Sequence, residues 1–166
     1  MSRKFRFTLI IVLFGVLILI TAISTPTASA VNSSEPEWDS LGGYYKIDNV
    51  EELQYMDNDL DNDYVLTGDI DATETRNWDV GSGFDPIGDD LDNFKGFFDG
   101  NGYIIENLYI DRSSTDHIGL FGYTDSVAVI ENVGLVNENL TGNYYVGGLI
   151  GRNLGSVFNC YAIGIV

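Results

Sequence analysis

Cysteine and histidine are almost missing from this 166-residue chain, which has one of each, Cys160 and His117. A single Cys excludes an internal disulfide framework, and a single His excludes a metal centre built on several imidazoles. Basic residues are scarce as well: eight Lys and Arg face 25 Asp and Glu, for a net charge of −17. Arg3, Lys4 and Arg6 take three of the eight, and no acid precedes Glu35. From Val31 onward five basic residues stand against 25 acids, a balance of −20. Such a surface repels phosphate backbones and anionic membranes, which argues against nucleic acid as a partner. What is present argues against disorder: 45% of residues are hydrophobic, with 10 Tyr and 9 Phe, enough to bury a core.

The N-terminus has the pattern of a secretory signal. Arg3, Lys4 and Arg6 precede an apolar run from Leu9 to Ile20, and Ala28-Ser29-Ala30 supplies a small-residue cleavage site, so residues 1–30 are expected to leave after Ala30. The alternative is an uncleaved anchor through residues 7–23, the chain's single expected membrane contact. Either outcome places the acidic part outside the cytoplasm.

Residues 31–43, with Pro36, Gly42 and Gly43, read as a flexible lead-in. Tyr44 to Ile47 has strand character, and Asn49-Val50-Glu51-Glu52 has the form of a helix start in which Asn49 caps the amide of Glu52 and the Glu52 side chain reaches back to the cap. Val50, Leu53 and Met56, or else Leu53, Tyr55 and Met56, would be the buried stripe of this one short helix, and Asp57-Asn58-Asp59 its end. Tyr64 to Thr67 reads as a strand.

Beyond Phe84 two elements recur. Gly followed by two bulky apolar residues occurs at Gly96, Gly119 and Gly148, and apolar-x-Asn-apolar occurs around Asn107, Asn132 and Asn159. Both repeat at roughly 25-residue intervals with strand-like segments, which points to stacked β-coils, a solenoid. In this reading Phe97, Leu120 and Leu149 stack on one another, as do Ile105, Ile130 and Val157, and the three Asn stand one above the next to shape a tight corner.

Gly119-Leu120-Phe121-Gly122 and Gly148-Leu149-Ile150-Gly151 resemble the G-L-x-G signature of GLUG-motif repeats, and Arg152 through Val166 continues the second as a nearly complete repeat. Upstream, Tyr64-Val65-Leu66-Thr67-Gly68-Asp69-Ile70-Asp71 and Phe94 through Ile105 are similar to the segment that precedes such repeats in exported microbial surface proteins. The resemblance covers residues 44–166 and implies an all-β fold, a right-handed parallel β-helix, serving as a cell-surface structural or adhesive module. It brings no catalytic residues with it. With no capping segment after the last repeat, the C-terminal coil is expected to meet a second copy or the rest of a longer chain; a glycan or a surface protein is a separate expected partner.

Other chemistry is thin. Asp57, Asp59, Asp61 and Asp63 imitate the start of a calcium loop, but Asn62 stands where the sharp turn needs Gly and Gly68 where a bidentate Glu belongs. Calcium is the candidate ion there, an acidic turn the plainer reading, and no other cofactor is implied. Paired acids could serve a polysaccharide lyase or glycosidase, but they would need one of five scattered basic residues as a partner. His117 reads as structural or exposed, and Cys160 as a small buried residue in the repeat position of Leu108 and Val133. Trp38, Trp78, Tyr44, Tyr45, Tyr144 and Tyr145 could offer stacking faces to a sugar, which with a closed calcium turn would make a cation-dependent sugar-binding module. Asn32 and Asn139 fit the glycosylation pattern in expected loops. The excess of Asp over Lys suits an environment where salt screens self-repulsion.

Overall fold

The computed structural model describes residues 35–166 and, nearer the N-terminus, strands β1 (Val12–Leu13) and β2 (Val16–Leu17), which pair antiparallel. The rest of the expected export segment, its cleavage site and Asn32 lie outside the described residues. Among the described residues no helix is long and apolar enough to cross a membrane.

From residue 35 on the protein is mostly strand, with one short helix. Glu37–Asp39 (β3) pairs antiparallel with Tyr44–Ile47 (β4), so part of the expected flexible lead-in is a hairpin arm. Asp39 closes its turn by accepting from the amides of Leu41 and Gly42, both at 3.0 Å. The helix, α1 (Val50–Tyr55), forms where expected: Asn49 Oδ1 accepts from the Glu52 amide at 2.8 Å. Glu52 reaches one residue further back than the usual box, accepting from the Asp48 amide at 2.9 Å. Val50, Leu53 and Met56 are buried in the core.

The remaining strands are Tyr64–Leu66 (β5), Ile70–Asp71 (β6), Phe97–Asp99 (β7), Ile104–Glu106 (β8), Tyr109–Asp111 (β9), Phe121–Thr124 (β10), Val129–Glu131 (β11), Gly134–Thr141 (β12), Ile150–Asn153 (β13), Ser156–Phe158 (β14) and Tyr161–Ile165 (β15). After the β3–β4 hairpin all their pairings with one another are parallel. One ladder runs β3-β4-β5-β7-β11-β14, a second runs β6-β8-β12-β15, and a third joins β10 to β13. The third extends downward through single bridges from Ile87 to Phe121 and from Phe94 to Thr124. From β10 on, each passage of the chain adds one strand to each ladder, and we call any one passage a layer; β13, β14 and β15 are the last.

Alternation along each strand sends every second side chain inward, so inward residues of successive layers stack. Tyr64, Phe98, Ile130 and Val157 share one such register, and Ile70, Ile105, Leu135 and Ala162 another. All but Val157 and Ala162, which lie in the last layer, are buried. Full burial of one such aromatic or branched side chain is worth about 2 kcal/mol.

This register corrects the alignment read from the repeats. Ile105 stacks on Leu135, not on Ile130, and Phe121 stands over Ile87, not over the Gly96-Phe97-Phe98 segment. Later layers keep the expected order: Ile130 under Val157 and Phe121 under Ile150. The first match fails because the earlier layer is longer. Tyr64 to Phe98 spans 34 residues and Phe98 to Ile130 spans 32, against 27 from Ile130 to Val157.

Candidate functional site

The corners of the layers carry the most structured polar chemistry in the molecule. Asn107, Asn132 and Asn159 all adopt left-handed backbone, with φ of 63°, 55° and 56°, which Asn tolerates better than most residues. They do not form one column. Asn159 Nδ2 donates to Asn132 Oδ1 at 3.1 Å, and Asn132 Nδ2 donates to Asp99 Oδ1 at 3.0 Å. Asn107 belongs to a different corner, where it donates to Asp71 Oδ1 at 3.0 Å and accepts from Asn137 Nδ2. The same local solution serves two corners, which is why the three Asn looked like one series in the sequence.

Each column stands on a carboxylate. Asp71 also accepts from the Thr73 hydroxyl, and that bond, with the Asn107 amide and the Thr73 backbone amide, holds its carboxyl below the usual range. Asp71, Asp99 and Asn137 were missed from sequence. The available signal was the spacing of Asp99 and Asp71 from the Asn one layer on, legible only once the register is known.

The signature glycines are explained by close approach between layers. A methyl group on Gly119 would sit 2.8 Å from Gly147 O, one on Gly151 2.6 Å from Tyr145 O, and one on Gly148 2.7 Å from the Ala162 Cβ. On Gly122 it would meet the Gly88 carbonyl even more closely. Leu120 between them is fully buried.

The four acids of the calcium-like run take separate tasks. Asp57 accepts from the Gly88 amide at 2.9 Å, Asp59 from Asn62 Nδ2, and Asp63 from the Phe97 amide at 2.9 Å, while Asp61 pairs with Lys95 at 3.2 Å. Burial raises the Asp57 carboxyl against the lowering effect of the Gly88 amide. Among the described residues no three metal-capable side chains converge. Asp89 accepts from the amides of Leu91 and Asp92 to form a turn.

Arg112 faces two acids, Asp79 at 3.0 Å and Asp85 at 3.5 Å, as Lys95 faces Asp61 and Asp92. It also donates through Nε to the Phe84 carbonyl and through Nη2 to the Gly83 carbonyl, so it clasps the loop of residues 79–85. His117 stacks on Tyr145 (ring centroids 5.0 Å apart) and lies 5.3 Å from Tyr123, while the Arg152 guanidinium covers Tyr123 at 4.7 Å. Cys160 aligns with Val133, not Leu108; it is half-buried, and burial pushes its thiol up, the opposite of a nucleophile. Asn139 sits within the eight-residue β12, half-buried, rather than in an exposed loop. Of the aromatic faces, Tyr144 and Tyr145 are exposed, Trp38 packs edge-on against Tyr45, and Trp78 stacks on Phe84.

The last layer differs from the rest. Phe158, Ile163 and Ile165 are 57%, 64% and 68% exposed. No acid follows Glu138, and Arg152 is the one charged side chain beyond it. Glu138 itself points inward beneath this layer, 2% exposed, with no partner for Oε2 among the described residues.

These features define an all-β repeat protein, built from parallel strands stacked in register on glycine and asparagine corners. Its final layer carries a GLUG motif: residues 142–166 match the family model of that motif. Over 130 residues the chain is 45% identical to Halomucin of Haloquadratum walsbyi (strain DSM 16790 / HBSQ001), covering 74% of this chain and 1% of that protein. Over 120 residues it is 34% identical to a putative Gly-rich membrane protein of Evansella cellulosilytica, covering 69% of this chain and 14% of that protein. The chain therefore spans a small fraction of the length of these curated relatives. No solved structure matches it.

Proposed function

We propose that residues 44–166 wind as a right-handed parallel β-helix and that the protein works outside the cytoplasm as a structural or adhesive surface module with no catalysis of its own. The carrying observation is the set of stacked parallel ladders with their corners tied by Asn–Asp and Asn–Asn hydrogen bonds, the form of a repeat scaffold. The export pattern of residues 1–30 supports the location, as do relatives named as a mucin and a membrane protein. Polar groups elsewhere are occupied in holding corners and loops, which favours scaffold over enzyme. Fractionation of cells producing the chain, with protease added to intact cells, tests this reading. The chain should appear in the envelope or medium and be cut from outside; a protected cytoplasmic pool would overturn it.

A further inference from the structure

Three turns of the chain are built the same way. Asp39 accepts from the Leu41 amide at 3.0 Å, Asp89 from the Leu91 amide at 2.8 Å and Asp125 from the Val127 amide at 3.1 Å. In each, a short acid bonds the amide two residues on, and the aliphatic residue that carries this amide stands in solvent. Leu41 is 99% exposed, Leu91 91% and Val127 68%. A single exposed aliphatic residue is ordinary on any surface; one turn design presenting it three times is not. The same bonds help to keep two of the acids charged. The Gly42 amide, Lys46 and the Leu41 amide lower the Asp39 carboxyl, and the Val127 amide and Ser126 hydroxyl lower that of Asp125.

The three turns share one flank of the stack. Strands β4, β5, β7 and β11 are consecutive and parallel in one ladder, so their N-terminal ends lie on the same side. Leu41 comes three residues before β4, and Val127 two before β11. Leu91 comes three residues before Phe94, which bridges to Thr124, itself three residues before Val127. Lys95 ties this flank together: it lies 3.2 Å from Asp61 and 2.9 Å from Asp92, and its charge is felt at Asp125. Three strand spacings, about 14 Å, separate β4 from β11. All three aliphatic residues lie below the last layer.

Resting on the surface-module reading only for where the partner is met, we propose that this flank docks a polypeptide segment in which Lys or Arg side chains alternate with aliphatic ones. Charge selects the occupant. Each aliphatic tip stands beside a carboxylate, and Lys46 and Lys95 are outnumbered there by Asp39, Asp61, Asp89, Asp92 and Asp125. A basic segment is attracted to such an edge, while a second copy or an anionic membrane meets its own sign of charge. The aliphatic side chains of the segment then cover tips that water otherwise surrounds. About five residues of extended segment reach along the flank.

The test titrates the full chain with two synthetic peptides of about ten residues, one alternating Lys and Leu, the other Lys and Ser, by calorimetry at about 0.1 M salt. The Lys–Leu peptide should bind about tenfold more tightly, or better. Leu41→Ser, Leu91→Ser and Val127→Ser together should bring it down to the Lys–Ser value, with the melting temperature unchanged because the backbone bonds of the turns remain. Asp39→Asn, Asp89→Asn and Asp125→Asn together keep the turns, since Asn accepts the same amides, and should weaken both peptides about tenfold. Equal affinity for the two peptides, or a Ser variant that binds the Lys–Leu peptide as before, would overturn the docking flank. An Asn variant that binds both peptides as before would overturn the basic occupant. A concentration-dependent dimer in sedimentation velocity that the Ser variant loses would assign the flank to a second copy instead. Fractionation fails separately: a cytoplasmic pool would remove the surface-module reading and leave these affinities as measured.

Discussion

Asn132 donates through Nδ2 to Asp99 at 3.0 Å across two layers while its own backbone sits at φ 55°, so one residue both turns the chain and ties it to the layer below. The two roles separate by mutation. Asn132→Gly keeps the turn and loses the tie, at about 1 kcal/mol. Asn132→Asp tolerates the turn and can still accept from Asn159 Nδ2, but it sets a carboxylate against Asp99 and should cost about 2 kcal/mol or more at pH 7. That excess should fade between pH 7 and about 4, because one of two facing carboxyls takes a proton more readily than a lone one. Urea unfolding at the two pH values measures both variants.

Gly119→Ala and Gly122→Ala force a methyl group against the backbone of the neighbouring passage, Gly147 for one and Gly88 for the other. Each should lower stability by about 1–3 kcal/mol or prevent folding. Gly68→Ala meets nothing within 4 Å and should be close to neutral. Thermal melts of the three variants side by side give the contrast.

Asp71 is held below the usual carboxylate range by the Thr73 hydroxyl and the Asn107 amide. Its stabilising contribution is therefore complete above its unfolded value of about 3.9 and lost as pH falls through its lower folded value. Asp57, raised by burial, runs the other way: it favours the folded state most at low pH and less as pH rises through the carboxylate range. Asp71→Asn should flatten the acid limb of the stability–pH curve, and Asp57→Asn should steepen the overall fall toward acid. Denaturation midpoints from pH 2.5 to 7 in both variants check the signs.

Salt should stabilise the protein. With a balance of −20 from Val31 on, raising ionic strength from about 0.1 to 1 M shortens the screening length from about 10 to 3 Å and relieves self-repulsion. The melting temperature should rise with sodium chloride, and a fall would show that ion pairs such as Arg112–Asp79 outweigh the general repulsion.

Local chemistry was the readable part of the sequence. The cap at Asn49 and the buried stripe of Val50, Leu53 and Met56 follow from side-chain types at short spacing, and the structure has them. The last two layers were legible because their connections are of similar length, so Gly119 and Gly148, or Asn132 and Asn159, recur in step. The earlier layer was not. Its added residues, including the Asp89 turn and the Gly100-Asn101-Gly102 turn, shift the register without erasing the motifs, and Asn107 fills a different corner with the same backbone conformation. The Asp bases of the amide columns were invisible for a related reason: an acid among 25 acquires meaning only when the residue stacked on it is known.

The stacking of separate passages has a mechanical side. Each layer touches the one below chiefly through its own three strand edges, so a pull on the C-terminus strips β15, β14 and β13 before it loads β12. Releasing the 27 residues between matching positions such as Ile130 and Val157 pays out roughly 90 Å of extended chain. Under load the molecule would lengthen in discrete steps, 27 residues for the last layer and then 32 and 34 for those below it, giving way at one end while the remainder keeps its shape.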